Sequence, residues 1–225
     1  ESMKHLVIGL GEVGTAVQKV LECEGIDAGQ KLHDRFDVLH ICFPCKDKSK
    51  FKYQVEAYRI EYDARLVVVH STTPVGTCEE LGAVHSPIRG IHPELEESIR
   101  TFVKYFGGDR AEEAAQIFRE KGIQCFTHPS SRTIEALKLW STTQYGVNIM
   151  LEKQIHEYCE KNGLDFDVVY RSGNLTYNEG YQAMGHPEFQ RYVLKHVPGP
   201  IGGHCIMPNC ELLGYKLEKI DEATK

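Results

Sequence analysis

The sequence predicts an α/β fold, a doubly wound and mostly parallel sheet followed by a smaller helical domain with one long helix. Three observations carry this reading. Short apolar runs at Leu6–Ile8, Asp37–Phe43 and Leu66–His70 alternate with stretches of helical periodicity. A Gly-x-Gly-x-x-Gly run, Gly9-Leu10-Gly11-Glu12-Val13-Gly14, follows the first apolar run at once and opens the first helical stretch. After Pro129 the composition changes, and about thirty residues from Arg132 to Lys161 pass with only Gly146 and no proline.

Taken in order, Leu6–Ile8 reads as a buried strand, and Ala16, Val17, Val20 and Leu21 recur at helical spacing behind it. Glu24–Asp27 reads as a short second strand and Asp37–Phe43 as a third, stopped by Pro44. Lys46–Tyr62 is helical in pattern. Leu66–His70 has no polar interruption before His70, as expected of a parallel strand covered on both faces. Ser71–Gly76 is a loop, Thr77–Leu81 a turn or two of helix, and Val84–Pro87 a strand end. Phe102–Phe106 is a strand ended by Gly107-Gly108, Arg110–Lys121 is helical, and Gln124–Thr127 is the last strand. Ile134, Leu137, Trp140, Tyr145, Ile149, Leu151, Ile155 and Tyr158 give the long helix apolar faces, and Asn162-Gly163 closes it. At about 1.5 Å per residue it spans over 40 Å, more than one small domain covers, so a homodimer is expected. Phe166–Arg171 is a shorter helix, followed by polar loops and a Pro198–Gly203 loop.

Composition bounds the function. The 225 residues are 41% hydrophobic and 26% charged, with a net charge of -6. An acidic chain is not held to nucleic acid by phosphate contacts. No stretch approaches the roughly twenty apolar residues of a membrane span, and no secretory pattern is present, so neither membrane nor nucleic acid is an expected partner. The eight cysteines lack the density of a disulfide scaffold; they read as reduced thiols in a cytoplasmic protein, with Cys42-x-x-Cys45 a buried-thiol pair and no metal expected.

The glycine run is informative because of its place between a strand and a helix. Gly9 permits the tight turn, Gly11 lets the backbone approach a pyrophosphate, and Gly14 lets helix and strand pack closely. Glu12 and Val13 lie at the helix start, whose free N–H groups attract phosphate. Asp27, 18 residues after Gly9, stands near the position for a ribose-binding carboxylate and favours NAD over NADP. Pro44, Ser71 and Thr72 follow strands at the same sheet edge and complete the cofactor-binding set. The segment after Asp27 is too short for the usual crossover helix, and glycine loops of this kind also bind S-adenosylmethionine, which keeps NADP and S-adenosylmethionine open as alternatives. Residues 3–129 are thus read as a Rossmann-like NAD(P)-binding domain, and 130–225 as a helical substrate and dimerisation domain.

Beyond that loop, three further segments follow in order: Ser71-Thr72-Thr73-Pro74-Val75-Gly76-Thr77, the helix Glu135-Ala136-Leu137-Lys138-Leu139-Trp140 continuing through Tyr145 to Ile149, and the Gly-Gly-His-Cys stretch ending at Cys205. With the glycine run, these resemble the UDP-glucose/GDP-mannose dehydrogenases. The resemblance implies oxidation of an alcohol carbon to a carboxylate with two NAD molecules. It implies Cys205 as the nucleophile that forms a thiohemiacetal and then a thioester, and Lys138 as the cation that steadies a developing alkoxide or moves its proton. Thr73 would help position water or nicotinamide, and Glu94 would match the family's loop glutamate. Thr142, Asn148, His204 and Asn209 fall in these motifs as substrate-side candidates.

Two positions depart from the family pattern. Thr142 stands where the family has Asn, and Asn209 where it has Asp; an amide cannot act as a base at neutral pH. The chain also ends about twenty residues after Cys205, so the resemblance implies a truncated member lacking the carboxy-terminal nucleotide-sugar-binding domain. Outside the resemblance, His85, Arg89 and His92 cluster after a strand at the ligand-bearing edge of the sheet, where Arg89 can hold a carboxylate or phosphate. Tyr177 lies in a polar-aromatic stretch suited to a substrate wall. The expected function is an NAD-dependent dehydrogenase of a small alcohol or sugar-like substrate. The alternatives are an S-adenosylmethionine-dependent transferase and a catalytically silent nucleotide-binding module.

Overall fold

In the computed structural model, which describes residues 2–202 and 205–217, the first apolar run forms strand β1 (His5–Ile8) and the glycine run leads into helix α1 (Glu12–Leu21). There follow β2 (Glu24–Ile26), β3 (Val38–Ile41), α2 (Lys48–Glu61), β4 (Leu66–Val69), α3 (Thr77–Leu81), β5 (Val84–His85), α4 (Leu95–Thr101), β6 (Lys104–Gly107), α5 (Ala111–Arg119) and β7 (Cys125–His128). The long helix α6 runs over Ser131–Asn162. The chain folds as two compact units that divide within α6, between Lys138 and Leu139.

The first unit is one seven-stranded sheet in the order β2-β1-β3-β4-β5-β6-β7. All its pairings are parallel except β5 with β6. Side chains alternate across the central strands β1, β3 and β4, and both sets are buried there apart from half-buried His5. Val7, Val38 and Val68 pack with Val17, Phe106 and Phe118 on one face, while Leu6, Ile8, Leu39, Ile41, Val67 and Val69 pack with Phe51 and Val55 on the other. This is the fully apolar, doubly covered strand pattern that the sequence predicts. The fold is accordingly Rossmann-like α/β. No helix lies between β2 and β3. The chain leaves β1 toward β2 on one side and returns to β3 on the other, which opens a crevice at their carboxyl ends.

Local chemistry explains the helix ends. The Asp47 side chain caps α2 by accepting from the Lys50 amide at 2.7 Å, and the left-handed Glu22 ends α1 with its amide bonded to Gln18. Helix α4, absent from the sequence expectation, buries Leu95, Ser98 and Ile99.

The second unit holds the rest of α6, a π-helical turn at Asp167–Ser172, helix α7 (Gly173–Ala183), a 3-10 turn at Pro187–Phe189 and helix α8 (Ile206–Leu213). Helix α7 occupies a stretch expected to be polar loop. Its first-turn side chains bond back to the preceding π-helical turn: Asn174 Nδ2 donates to the Tyr170 carbonyl at 2.7 Å and Thr176 Oγ1 to that of Ser172 at 2.8 Å. No helix among the described residues is long and apolar enough to cross a membrane.

Candidate functional site

The glycine loop is shaped by contact on one side and openness on the other. Gly9 has φ +97°, and a Cβ there would meet the Phe43 amide nitrogen at 2.7 Å. A Cβ on Gly14 would stand 1.6 Å from the Gly9 carbonyl oxygen, so only glycine lets α1 sit this close to the turn. Gly11, the residue before the first turn of α1, would meet nothing within 4 Å. The backbone is therefore bare where the helix presents its free amides.

Two cavities flank this loop. One, of about 400 Å³, is bordered by Gly9, Asp27, Phe43, Pro44, Lys50 and Tyr58. The Asp27 carboxylate accepts from the Leu10 amide at 3.1 Å, which ties the end of β2 to the glycine loop. The other, of about 800 Å³, lies between α1 and α4, with Gly11 and Glu12 on one wall and Pro93, Glu94 and Arg100 on the other. Glu12 is exposed and ion-paired with His92, and Val13 is half-buried beside the core. The bare backbone at Gly11, the carboxylate at Asp27 and the crevice between β1 and β3 fit a dinucleotide.

The loop after β4 is held from inside. Ser71 Oγ donates to the Phe43 carbonyl at 2.6 Å, Thr72 is half-buried, and Thr73 is 1% exposed with its hydroxyl donating to Glu135 at 2.5 Å. Glu135 also accepts from the Gly76 amide at 3.0 Å and the Cys78 amide at 3.4 Å. Burial raises its carboxyl, and these hydrogen bonds pull it back down. Thr73 thus points away from solvent, and its hydroxyl anchors the loop.

One turn further along α6, Lys138 Nζ donates to the Ile88 carbonyl at 2.7 Å. His85 is fully buried. Its Nδ1 lies 3.5 Å from Cys78 Sγ, its Nε2 has no partner among the described residues, and burial pushes the ring down to about 3, so it stays neutral and makes no ion pair with an anion. Cys78, His85 and Glu135 together have the donor types of a metal site. However, the Glu135 oxygens already accept three hydrogens, and burial holds the Cys78 thiol well above its usual range. Arg89 donates to the Val103 carbonyl at 3.4 Å, with the Tyr105 ring 5.1 Å away. His92 is exposed, so His85, Arg89 and His92 are not one cluster of equivalent cations.

In the second unit, Cys205 is exposed and directly precedes the first turn of α8, at the positive end of that helix. The other seven cysteines are buried or half-buried and all eight are free. Burial pushes Cys42 up to about 12 and Cys45 to about 11, which makes the Cys-x-x-Cys pair poor nucleophiles. Asn209, one turn into α8, is 5% exposed and donates to Thr142 Oγ1 at 3.2 Å. Asn148 is half-buried on α6. Tyr177 lies on α7, with the Arg191 guanidinium 3.7 Å from its ring centre. His204 lies outside the described residues.

Sequence reasoning assigned no role to Glu135, Glu152 or Lys153. Lys153 Nζ donates to the Val197 and Gly199 carbonyls, both at 2.6 Å, and Glu152 pairs with His196 at 2.6 Å, so α6 grips the segment leading toward Cys205. The available signal was a buried-face spacing: Glu135 precedes Lys138 by three residues, so the two share a side of α6.

No protein-family model and no curated protein sequence matches the chain. Solved structures do. The UDP-D-ManNAc dehydrogenase of Pyrococcus horikoshii matches with a TM-score of 0.72 at 19% identity, covering 93% of this chain and 63% of that one. The UDP-N-acetyl-mannosamine dehydrogenase of Staphylococcus aureus gives 0.66 at 19% identity, covering 93% and 65%. The 3-hydroxyisobutyrate dehydrogenase of Mycobacterium tuberculosis gives 0.61 at 14% identity, covering 88% and 76%. This chain spans less than two thirds of the length of the two sugar-nucleotide dehydrogenases, and at these identities the likeness is one of fold.

Proposed function

We propose that this chain is an NAD-dependent oxidoreductase acting on the CH–OH group of an alcohol or sugar-like substrate. The observation that carries it is the bare backbone of Gly11 at the start of α1, beside the β1–β3 crevice that Asp27 borders. Gly9, Gly11 and Gly14 would cradle the pyrophosphate and Asp27 the ribose hydroxyls. NAD supplies a hydride acceptor when bound.

The chain's own residues supply the rest. Lys138, oriented by its bond to the Ile88 carbonyl, would balance charge on a substrate oxygen as its proton leaves. Cys205, the exposed thiol, would add to an aldehyde carbon to give a thiohemiacetal, its thiol proton ending on the former carbonyl oxygen. The ion pair of Glu12 with His92 ties the start of α1 to the loop after β5, which also carries Ile88. Support from outside the chain is the fold shared with dehydrogenases of sugar nucleotides and of a hydroxy acid.

Calorimetric titration with NAD, NADP and S-adenosylmethionine, followed by absorbance of reduced cofactor over a panel of alcohols, tests the proposal. Binding of NAD and turnover that falls in Cys205→Ala or Lys138→Ala is expected. Tight binding of S-adenosylmethionine alone would overturn it in favour of a transferase. One observation favours a second reading, a silent nucleotide-binding module: Asn209 donates to Thr142, and neither side chain offers a base. NAD binding without turnover, and with Cys205→Ala indistinguishable, would select it.

The same proposal includes a homodimer. Trp140, Leu151 and Tyr158 are 51%, 53% and 62% exposed, and at 3.6 residues per turn they fall on one stripe of α6.

A further inference from the structure

Three imidazoles and an amine form a continuous chain through the sheet of the first unit. His5 Nδ1 lies 3.1 Å from His40 Nε2, His40 Nδ1 lies 3.0 Å from His70 Nε2, and His70 Nδ1 lies 3.2 Å from Lys104 Nζ. The linkage alternates Nδ1 and Nε2 at every ring. His5 opens β1, His40 is in β3, His70 follows β4 and Lys104 opens β6, so the chain crosses from the amino-terminal edge of the sheet to its carboxyl edge. The inner three residues are 0%, 2% and 4% exposed, whereas His5 is half-buried.

We propose that these residues are a proton-transfer site, in which His5, His40 and His70 carry protons between solvent and Lys104. The hydrogen bonds close in two states. In the first, Lys104 is an ammonium ion, donates to His70 Nδ1, and each ring carries its hydrogen on Nε2. Lys104 passes a proton to His70 Nδ1. His70 passes its Nε2 hydrogen to His40 Nδ1, His40 passes its own to His5 Nδ1, and His5 releases its Nε2 hydrogen to water. The second state holds a neutral amine and three rings with hydrogen on Nδ1, and one proton has reached solvent. The reverse sequence reloads Lys104.

The Ser86 carbonyl serves both states. It accepts from Lys104 Nζ at 3.3 Å in the first and from His70 Nδ1 at 3.1 Å in the second. No inner ring nitrogen is orphaned in either, which a buried polar network requires. The surroundings do not trap the proton. The charged and titratable groups acting on Lys104 are Cys42, Cys125 and Lys138, and those on His70 are Lys104, His40 and His85, with no carboxylate among them in the described residues. At the outer end, burial holds His5 below the ordinary imidazole range; Asp37 and Glu120 favour a proton there, and Lys121 opposes it. Burial pushes Lys104 down to about 7 and keeps His40 and His70 well below the ordinary imidazole range. The amine therefore exchanges its proton near neutrality while the rings pass it on without holding it. The relay lies within the first unit and stands whether or not the oxidation proposed above occurs.

Nuclear magnetic resonance of the full chain, with nitrogen-15 histidine and lysine labels, tests it. As Lys104 loses its proton, the hydrogens of His40 and His70 are expected to shift from Nε2 to Nδ1 in the same pH step. Rings that keep one tautomer across that step would overturn the relay. In His40→Phe, exchange of the Lys104 ammonium hydrogens with solvent is expected to slow by about tenfold or more. An unchanged rate in the folded variant would also overturn it. Should His40→Phe not fold, His5→Phe at the half-buried end carries the same expectation.

Discussion

Asn209 donates an amide hydrogen to the Thr142 hydroxyl across 3.2 Å, joining α8 to α6 within the second unit. These are the two positions at which the chain departs from the dehydrogenase motifs it resembles. Removing either side chain breaks the hydrogen bond between them. Asn209→Ala and Thr142→Val are each expected to cost about 1 kcal/mol, with a coupling of about 0.5–1.5 kcal/mol in a double-mutant cycle by urea unfolding. A coupling of zero would mean the pair does not act as a clamp.

Gly14 and Gly11 separate fold from function. Because a Gly14 Cβ would stand 1.6 Å from the Gly9 oxygen, Gly14→Ala is expected to destabilise by several kcal/mol or abolish soluble expression. Gly11→Ala meets nothing within 4 Å, so its thermal midpoint should stay close to that of the parent while NAD affinity falls at least about tenfold. Calorimetry showing undiminished NAD binding by Gly11→Ala would count against the cofactor proposal.

Glu135 holds the loop after β4 by accepting from Thr73, Gly76 and Cys78. Glu135→Ala leaves three buried donors without an acceptor, and a loss of about 3 kcal/mol or more is expected in denaturant unfolding. Thr73→Val removes one of the three hydrogen bonds and should cost about 1 kcal/mol.

Stability depends on pH in two windows. His40, His70 and His85 are depressed below the ordinary 6.5, so the unfolded chain binds more protons in acid and stability falls as pH drops below about 6.5. Lys104 is depressed from 10.5 to about 7, so between those values the unfolded chain again binds more protons and stability rises with pH. Lys104→Met is therefore expected to raise the thermal midpoint most at pH 7 and below, with the gain shrinking toward pH 10.5. A gain independent of pH would show that the amine is not buried as an ionisable group.

The exposed stripe of α6 is expected to bury itself between two copies. Light scattering at micromolar concentration should give the mass of a dimer, and Leu151→Asp, on that stripe, should give a monomer of unchanged helicity. A monomeric parent chain would remove the proposal.

The sequence by itself determined the strands, because a parallel sheet covered on both faces demands unbroken apolar runs such as Leu66–Val69, and it determined the glycine loop, because the left-handed φ of Gly9 and the contact of Gly14 with the Gly9 carbonyl are demands of the loop itself. It did not determine helix α7, which buries no residue and whose first-turn side chains bond to the preceding π-helical turn, leaving no apolar stripe to read. Only the tertiary structure decided which polar residues are partners. Thr73 reads as a free hydroxyl in a loop until Glu135, 62 residues away, closes over it. His85, Arg89 and His92 read as one cationic cluster until burial makes the first neutral, the Val103 carbonyl and neighbouring rings take up the second, and Glu12 claims the third. His5, His40, His70 and Lys104 are scattered along the sequence, and the pleat and register of β1, β3, β4 and β6 bring them into one line. The physical reason is the range of the forces involved. Apolar periodicity and backbone sterics are written into neighbouring residues, whereas a hydrogen bond or a pKa shift belongs to groups that meet only when the chain has folded.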